Sequence, residues 1–267
     1  MTEDMFAEFK NQQRAMWSSF APSAVLTTPV AGHLIEFAGI APGEKVLDVA
    51  CGTGVVAITA ARRGATVSAL DLTPALLEHA RENEKIAECG PIDWTEGDAE
   101  RLPYPDDSFD VVLSQFGHMF APRPDVALGE MRRVLKSGGR IAFATWPPEH
   151  FVGRFFAFVA RYSPAPPEGA VPPPLWGSIP VVTERLSRDF DSPFFERGVM
   201  RVPALSLTHL WLYMSASIGP LQKIVERYIN EPEELRTIRQ GMIELAAPYF
   251  SNNIMHQDYL LTRAVAC

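Results

Sequence analysis

The stretch Lys45-Val46-Leu47-Asp48-Val49-Ala50-Cys51-Gly52-Thr53-Gly54-Val55-Val56-Ala57 constrains this chain more than any other. It reads as a short apolar strand with an acid near its carboxyl end, a glycine turn, and the start of a small-residue helix. Such a turn makes a nucleotide-sized pocket, because glycine lets a ligand reach the backbone and the first helical turn offers unpaired N–H groups. Gly52-Thr53-Gly54-Val55-Val56-Ala57 also satisfies the dinucleotide pattern with alanine in the last place. Asp48 tilts the reading elsewhere. A carboxylate beside the loop repels a pyrophosphate and suits a ligand bearing a sulfonium and an amino-acid ammonium. Val67-Ser68-Ala69-Leu70-Asp71 is a second strand ending in an acid, placed to accept hydrogen bonds from a ribose diol. Dinucleotides and adenosyl ligands both call for that acid.

Around this turn, strands and helices alternate. Helical patterns cover 55–63, 74–87 and 125–135, and strand patterns cover 66–70, 92–95, 109–114 and 139–145. Thr73 stands as N-cap ahead of Pro74, and Arg132 and Arg133 close the helix over 125–135 as its dipole favours. The alternation predicts an α/β fold, a doubly wound, mostly parallel sheet covered on both faces. Ahead of it, Met5, Phe6, Phe9, Met16, Trp17 and Phe20 recur at helical spacing, and 30–39 reads as a second helix closed by Gly39. Beyond Trp146 a proline-rich stretch over 164–180 interrupts the repeat. Strand-like sequence returns at 195–204 and 258–265, with helical patterns at 208–214, 221–228 and 233–245 between them. The expected parts are therefore 1–28, an N-terminal helical segment; 29–146, the ligand-binding core; and 147–267, a helical insertion with the final strands.

Composition narrows the setting. The 267 residues are 47% hydrophobic, ample for a core, and no apolar run reaches the length of a membrane span. Glu3 and Asp4 in a segment without continuous apolar sequence argue against a signal peptide, and three cysteines fit a reducing cytoplasm. The net charge of −8, with no Lys/Arg stripe, disfavours a nucleic-acid partner. The expectation is a cytoplasmic globular protein; a monomer and a homodimer both fit.

Val46-Leu47-Asp48-Val49-Ala50-Cys51-Gly52-Thr53-Gly54 resembles the first motif of class I S-adenosylmethionine-dependent methyltransferases. More narrowly, it resembles the ubiquinone/menaquinone-type C-methyltransferases (methyltransferase type 11). Three further stretches are similar to that family's motifs in order: Ala69-Leu70-Asp71-Leu72-Thr73-Pro74-Ala75-Leu76-Leu77, then Glu96-Gly97-Asp98-Ala99-Glu100-Arg101-Leu102-Pro103-Tyr104 with Ser108-Phe109-Asp110-Val111-Val112, then Leu135-Lys136-Ser137-Gly138-Gly139-Arg140-Ile141-Ala142. The resemblance covers roughly the first half of the chain. It implies a Rossmann-like, seven-stranded sheet and S-adenosyl-L-methionine as methyl donor. The implied donor site takes Asp48, Ala50, Cys51, Gly52, Thr53 and Gly54 from the loop, with Asp48 on the methionine ammonium and the glycines leaving room for the ligand. Asp71 would hold the ribose hydroxyls and Leu72 would pack on the adenine. Asp98 would accept from the adenine amine, with Ala99 and Glu100 beside it, and Ser114, Gln115 and Phe116 would give backbone contacts to the methionine part. In related methyltransferases a segment similar to Gln13-Arg14-Ala15-Met16-Trp17 folds over the donor as a lid, and a helix that simply covers the core accounts for the N-terminal pattern equally. One position departs: the family most often has glycine where this chain has Ala50.

Methyl transfer from a sulfonium is an in-line displacement on an already activated carbon, so the protein mainly supplies alignment and desolvation. An acidic acceptor also calls for a base. Among six histidines, His118 follows the fourth strand at the open end of the sheet and is the candidate. Tyr213 and His209 share one cap helix. Phe151, Phe155, Phe156, Phe158, Trp176, Phe194, Phe195, Trp211 and Tyr213 suggest an apolar pocket for a small-molecule acceptor, and core packing accounts for them equally. No HExxH, paired CxxC or carboxylate cluster appears, so no metal is expected. Carbon, oxygen, nitrogen and sulfur all stand open as the accepting atom. Two other classes stand beside the methyltransferase: a nicotinamide-dependent oxidoreductase, disfavoured by Asp48, and a methyltransferase-like binding protein without catalysis.

Overall fold

The computed structural model describes residues 5–267 apart from the side chain of Ser192; Glu3 and Asp4 lie outside it. Five parallel strands form its centre: β1 (Lys45–Val49), β2 (Thr66–Asp71), β3 (Ile92–Glu96), β4 (Phe109–Gln115) and β5 (Leu135–Thr145). Two long strands, β6 (Phe190–Pro203) and β8 (Ile254–Ala266), add antiparallel pairings at the β5 side, giving the order β3-β2-β1-β4-β5-β8-β6. The expected seven strands are thus present; an eighth, the two-residue β7 (Phe250–Ser251), pairs only with β8.

The sequence accounts for this sheet directly. Val46, Leu47 and Val49 of β1 and Val111, Val112 and Leu113 of β4 are all fully buried, as central parallel strands covered on both faces must be. Helices α3 (Val55–Arg62), α4 (Pro74–Ala87) and α5 (Pro124–Val134) follow β1, β2 and β4, and α2 (Thr28–Ala38) leads into β1. From β1 the chain winds outward to β2 and β3, then returns to β4 on the other flank of β1. That reversal opens a crevice at the carboxyl ends of β1 and β4, where open α/β sheets bind ligands.

Two details of the reading change. Thr73 stands at the N-cap of α4, yet its side chain makes no capping bond; its backbone N–H donates instead to Asp71 Oδ1 at 2.8 Å. The region after Trp146 also contains more helix than the periodicity predicts. Here α6 (Phe151–Ala160) and α7 (Ile179–Leu186) precede β6, and α8 (Leu207–Ser217), α9 (Gly219–Arg227) and α10 (Pro232–Ala246) lie between β6 and β7. The amino-terminal α1 (Ala7–Trp17) and a 3₁₀ segment, Ala21–Thr27, reach the same end of the sheet.

β6 and β8 outrun their neighbour. β5 pairs with β8 only as far as Thr145 opposite Leu260, whereas the β6–β8 ladder continues to Pro203 opposite Ile254. The part of this ribbon beyond β5 stands above the carboxyl end of the sheet and presents Met200, Val202 and Gln257 to the crevice.

Candidate active site

One continuous cavity of about 250 Å³ occupies the crevice. Its floor is the loop after β1 with the ends of β2 and β4. Its roof is α1, the 3₁₀ segment, α6, α8 and the β6–β8 ribbon.

The loop is held open by its backbone. Ala50, Gly52 and Gly54 all take positive φ, at 56°, 56° and 83°. Ala50 therefore adopts, at a cost, the left-handed conformation that glycine takes freely. Its Cβ is accommodated because position 117 is glycine; a Cβ there would lie 2.5 Å from that of Ala50. Gly54 serves a different purpose from the one the resemblance implies. It does not border the cavity, and a Cβ on it would stand 2.4 Å from the Trp94 ring, which Glu84 fixes by accepting the indole N–H at 2.6 Å. Gly54 makes room for Trp94.

Asp48 and Asp71 both reach the cavity wall, and both are buried. Asp48 Oδ2 accepts the Ala57 N–H at 3.0 Å, while Oδ1 is buried without a hydrogen-bond partner. Burial raises its pKa well above the usual carboxylate range, and the Asp71 charge raises it further. An orphaned carboxylate oxygen beside a cavity is a site for a cationic hydrogen-bond donor. Asp71 is spoken for on both oxygens: Oδ2 accepts from Gly52 N–H and Oδ1 from Thr73 N–H, each at 2.8 Å. It ties the glycine turn to the start of α4. Burial raises its pKa too, against the pull of these N–H groups. Cys51, Thr53 and Leu72 also line the cavity. Burial pushes the Cys51 thiol upward, which suits packing and not nucleophilic attack.

Past β3, Asp98 and Ala99 border the cavity, and Glu100 does not. The buried Glu100 carboxylate is consumed by Lys10 at 2.7 Å and by Arg123, which donates from Nη2 at 2.6 Å and Nε at 2.9 Å. Its expected place at the donor is corrected accordingly: it anchors α1. Lys10 also bridges to Asp98 Oδ2 at 2.7 Å, and Arg14 pairs with Glu96 at 3.0 Å. Nothing in the helical spacing singled out Lys10, since a lysine on an amphipathic helix ordinarily faces water. With Gln13 and Trp17 it forms the cavity wall.

The end of β4 splits. Ser114 points into the sheet, its hydroxyl donating to Val49 O at 2.7 Å and accepting the His118 N–H at 3.2 Å, so its side chain is away from the cavity. Gln115 and Phe116 do line it. Phe116 (φ 61°) stacks on Trp146 at 3.8 Å between ring centres and 10° between planes. His118 is the clear correction. Its ring is 1% exposed, lies outside the cavity lining, and packs on Phe143 and Trp176 at 4.8 and 4.6 Å. Both ring nitrogens are buried without partners. Burial first, and the Arg185 charge second, push its pKa down to about 3. A base must reach its proton, and this imidazole is sealed in the core. No histidine lines the cavity among the described residues.

Of the aromatics singled out in sequence, Phe151, Phe155, Phe156 and Tyr213 face the cavity, while Trp176 and Trp211 are core and Phe194 is half exposed. His209 accepts the Leu205 N–H at the outer end of α8. The Tyr213 hydroxyl donates to Ser23 Oγ at 2.8 Å, joining the cap to the 3₁₀ segment.

A glycine turn at the switch point, an acid at the end of β1, a second at the end of β2 and an antiparallel final ribbon define an enzyme class. Residues 47–143 match the family described as Methyltransferase domain. Over 256 residues the chain is 35% identical to the uncharacterized protein Rv1405c of Mycobacterium tuberculosis (strain ATCC 25618 / H37Rv), spanning 94% of this chain and 93% of that protein. It is 45% identical over 105 residues to the ubiquinone/menaquinone biosynthesis C-methyltransferase UbiE of Ruegeria sp. (strain TM1040), there covering 38% of this chain and 41% of the relative. In fold it is similar to the YcgJ protein of Bacillus subtilis, with a TM-score of 0.60 at 17% identity, covering 88% of this chain and 97% of the other. The chain belongs to the methyltransferase-domain family: it is a class I S-adenosylmethionine-dependent methyltransferase resembling the UbiE type. The cavity fits that donor, since Asp48 Oδ1 and Thr53 Oγ1 are buried polar atoms with no partner in the protein.

Proposed function

We propose that the protein methylates a small, apolar or aromatic metabolite held between the donor loop and the helical cap. Bound S-adenosylmethionine supplies a methyl carbon already activated by a sulfonium. Asp48 takes the ammonium of its methionine part, relieving the unpaired oxygen described above. Asp71, Leu72, Asp98 and Ala99 receive the ribose and adenine, with Asp71 also fixing the turn. Lys10, Gln13 and Trp17 close α1 over this half as a lid. Residues 1–28, 29–146 and 147–267 then act as lid, donor-binding core and acceptor cap.

The observation that supports this reading is the continuity of one cavity from the acidic strand ends to the aromatic and aliphatic cap. That wall, with Trp146, Phe151, Phe155, Met200, Val202 and Leu210, excludes water from the transfer and aligns the acceptor. No histidine is among the described lining residues, so this wall offers no imidazole base, and its apolar residues contribute position and dryness.

Two measurements test it. Titration calorimetry with S-adenosylhomocysteine should give saturable binding; none at millimolar ligand would sink the donor assignment. Incubation with methyl-labelled donor and a lipid-phase metabolite extract should move label into an apolar product. Label found only in water-soluble amines or carboxylates would refute the acceptor class.

A further inference from the structure

The acceptor half of the cavity has a polar feature that the apolar reading does not use. Gln115, at the end of β4, donates from Nε2 to Thr27 O at 3.1 Å. That bond fixes the amide orientation and leaves Oε1 buried, bordering the cavity and without a partner. Thr27 and Ser23 lie four residues apart on the 3₁₀ segment, and Ser23 Oγ accepts from Tyr213. All four residues line the cavity. One wall of an otherwise apolar chamber thus carries neutral hydrogen-bonding groups, headed by an acceptor with nothing to accept.

Charge is distributed unevenly over the lining. The ionisable groups Asp48, Asp71, Asp98 and Lys10 cluster at the ends of β1 and β2 and under α1, and Lys10 is paired with Asp98 and Glu100. The wall built from β4, the 3₁₀ segment, α6, α8 and the ribbon has no carboxylate, lysine, arginine or histidine among its lining residues. An ion placed there would lose its hydration with no countercharge from the wall, whereas a neutral O–H or N–H would satisfy Oε1 at no such cost.

We infer that the methyl acceptor is an uncharged molecule with an apolar body and one hydroxyl or N–H group, and that Gln115 is the positioning residue that accepts its hydrogen bond. The inference rests on the proposed methyl-transfer function and adds the acceptor's polarity and its anchor. The donor uses at most the Gln115 backbone; the side chain belongs to the acceptor.

The test titrates the S-adenosylhomocysteine-loaded full chain with four probes of matched shape: 4-ethylphenol, ethylbenzene, 4-ethylbenzoate and 4-ethylbenzylamine, read by tryptophan fluorescence. Wild type should bind 4-ethylphenol at least tenfold more tightly than the other three. In Gln115→Met the phenol should fall to within threefold of ethylbenzene, while affinity for S-adenosylhomocysteine stays within threefold of wild type. Wild-type selectivity stands as evidence even if the variant folds poorly. Preference for the benzoate or the benzylamine, survival of the phenol advantage in Gln115→Met, or binding of none of the probes would overturn the inference. A tenfold loss of S-adenosylhomocysteine binding in Gln115→Met would also overturn it by returning the side chain to the donor, leaving methyl transfer intact. Failure of wild type to bind S-adenosylhomocysteine refutes the donor reading separately, and the four probes are then ranked on the protein alone.

Discussion

Replacing Asp71 with alanine separates two roles that one carboxylate performs. From sequence, Asp71 is a ribose ligand. The structure adds a second role, because its two oxygens accept the Gly52 and Thr73 N–H groups at 2.8 Å each. Hydrogen bonds to a charged group contribute roughly 1.5–3 kcal/mol apiece, so about 3–6 kcal/mol of interaction is removed. Part returns, since burial disfavours the ionised carboxylate, as its raised pKa records. A net loss of about 2–4 kcal/mol follows, and at roughly 2–4 °C per kcal/mol in a chain of this size the melting temperature should fall by about 5–15 °C. Scanning fluorimetry of the ligand-free protein reads this directly, and calorimetry at a temperature where the variant is folded reads the ligand separately. S-adenosylhomocysteine should bind at least tenfold more weakly to that folded variant, because ribose acceptor and turn are lost together. A melting temperature within about 2 °C of wild type would refute the structural role. Unchanged affinity would remove Asp71 from the ribose.

Asp48→Asn should stabilise the ligand-free protein near neutral pH, because it removes a buried charge while its amide oxygen can still accept the Ala57 N–H. The sign follows from linkage. With the folded pKa raised, stability is greatest below the ordinary carboxylate range and declines as pH rises through the elevated value, so the wild-type melting temperature should fall over that span and the variant's should fall less. The same variant should lose about tenfold or more in S-adenosylhomocysteine affinity by calorimetry; a variant that melts lower at neutral pH contradicts the argument. Gly54→Ala should cost about 2–4 kcal/mol in a denaturant titration, combining left-handed strain with a Cβ driven into Trp94, and a cost below about 1 kcal/mol would show that the ring can yield. Lys10→Met leaves Asp98 without its cation, and Arg123 still serves Glu100. Amide exchange over α1 should accelerate at least tenfold with the sheet unaffected, and unchanged exchange would show that aromatic packing alone holds the helix.

What the sequence made legible follows from what each residue answers to. Strands β1 and β4 are legible because each carries an apolar run that leads into a glycine turn, and β2 because it ends in an acid just ahead of a proline-led helix, all local signals. Asp48 and Asp71 stand out as cavity-wall acids for the same reason, each lying at or next to the end of a strand. His118 was misread because position along the chain shows the end of β4 but not which way a 3₁₀ turn rolls its side chain; here it rolls onto Phe143 and Trp176. Glu100 and Gly54 were placed at the ligand for want of their real partners, Lys10, Arg123 and Trp94, which are distant in sequence. In α6, ten residues set between Pro148 and the proline-rich stretch, the density of aromatics reads as pocket lining and masks the helical spacing. Ala50 departs from the family pattern in the sequence itself, but its compensation by Gly117 spans 67 positions and exists only in the fold.

The overhanging β6–β8 ribbon has a consequence for how such an enzyme changes its diet. The last six residues of its ladder, roughly 20 Å of strand, are paired to one another but not to β5. Met200 and Val202 with Gln257 point inward, and Val199 and Arg201, which alternate with the first two along β6, point outward. Drift on the inward set reshapes the chamber without touching a hydrogen bond of the central sheet, and drift on the outward set leaves the chamber alone. The donor end is fixed by buried acids and tight turns, whereas this overhang, like the cap helices beside it, can vary without disturbing them. Descendants of this scaffold can diverge in what they methylate while keeping the reagent they methylate it with.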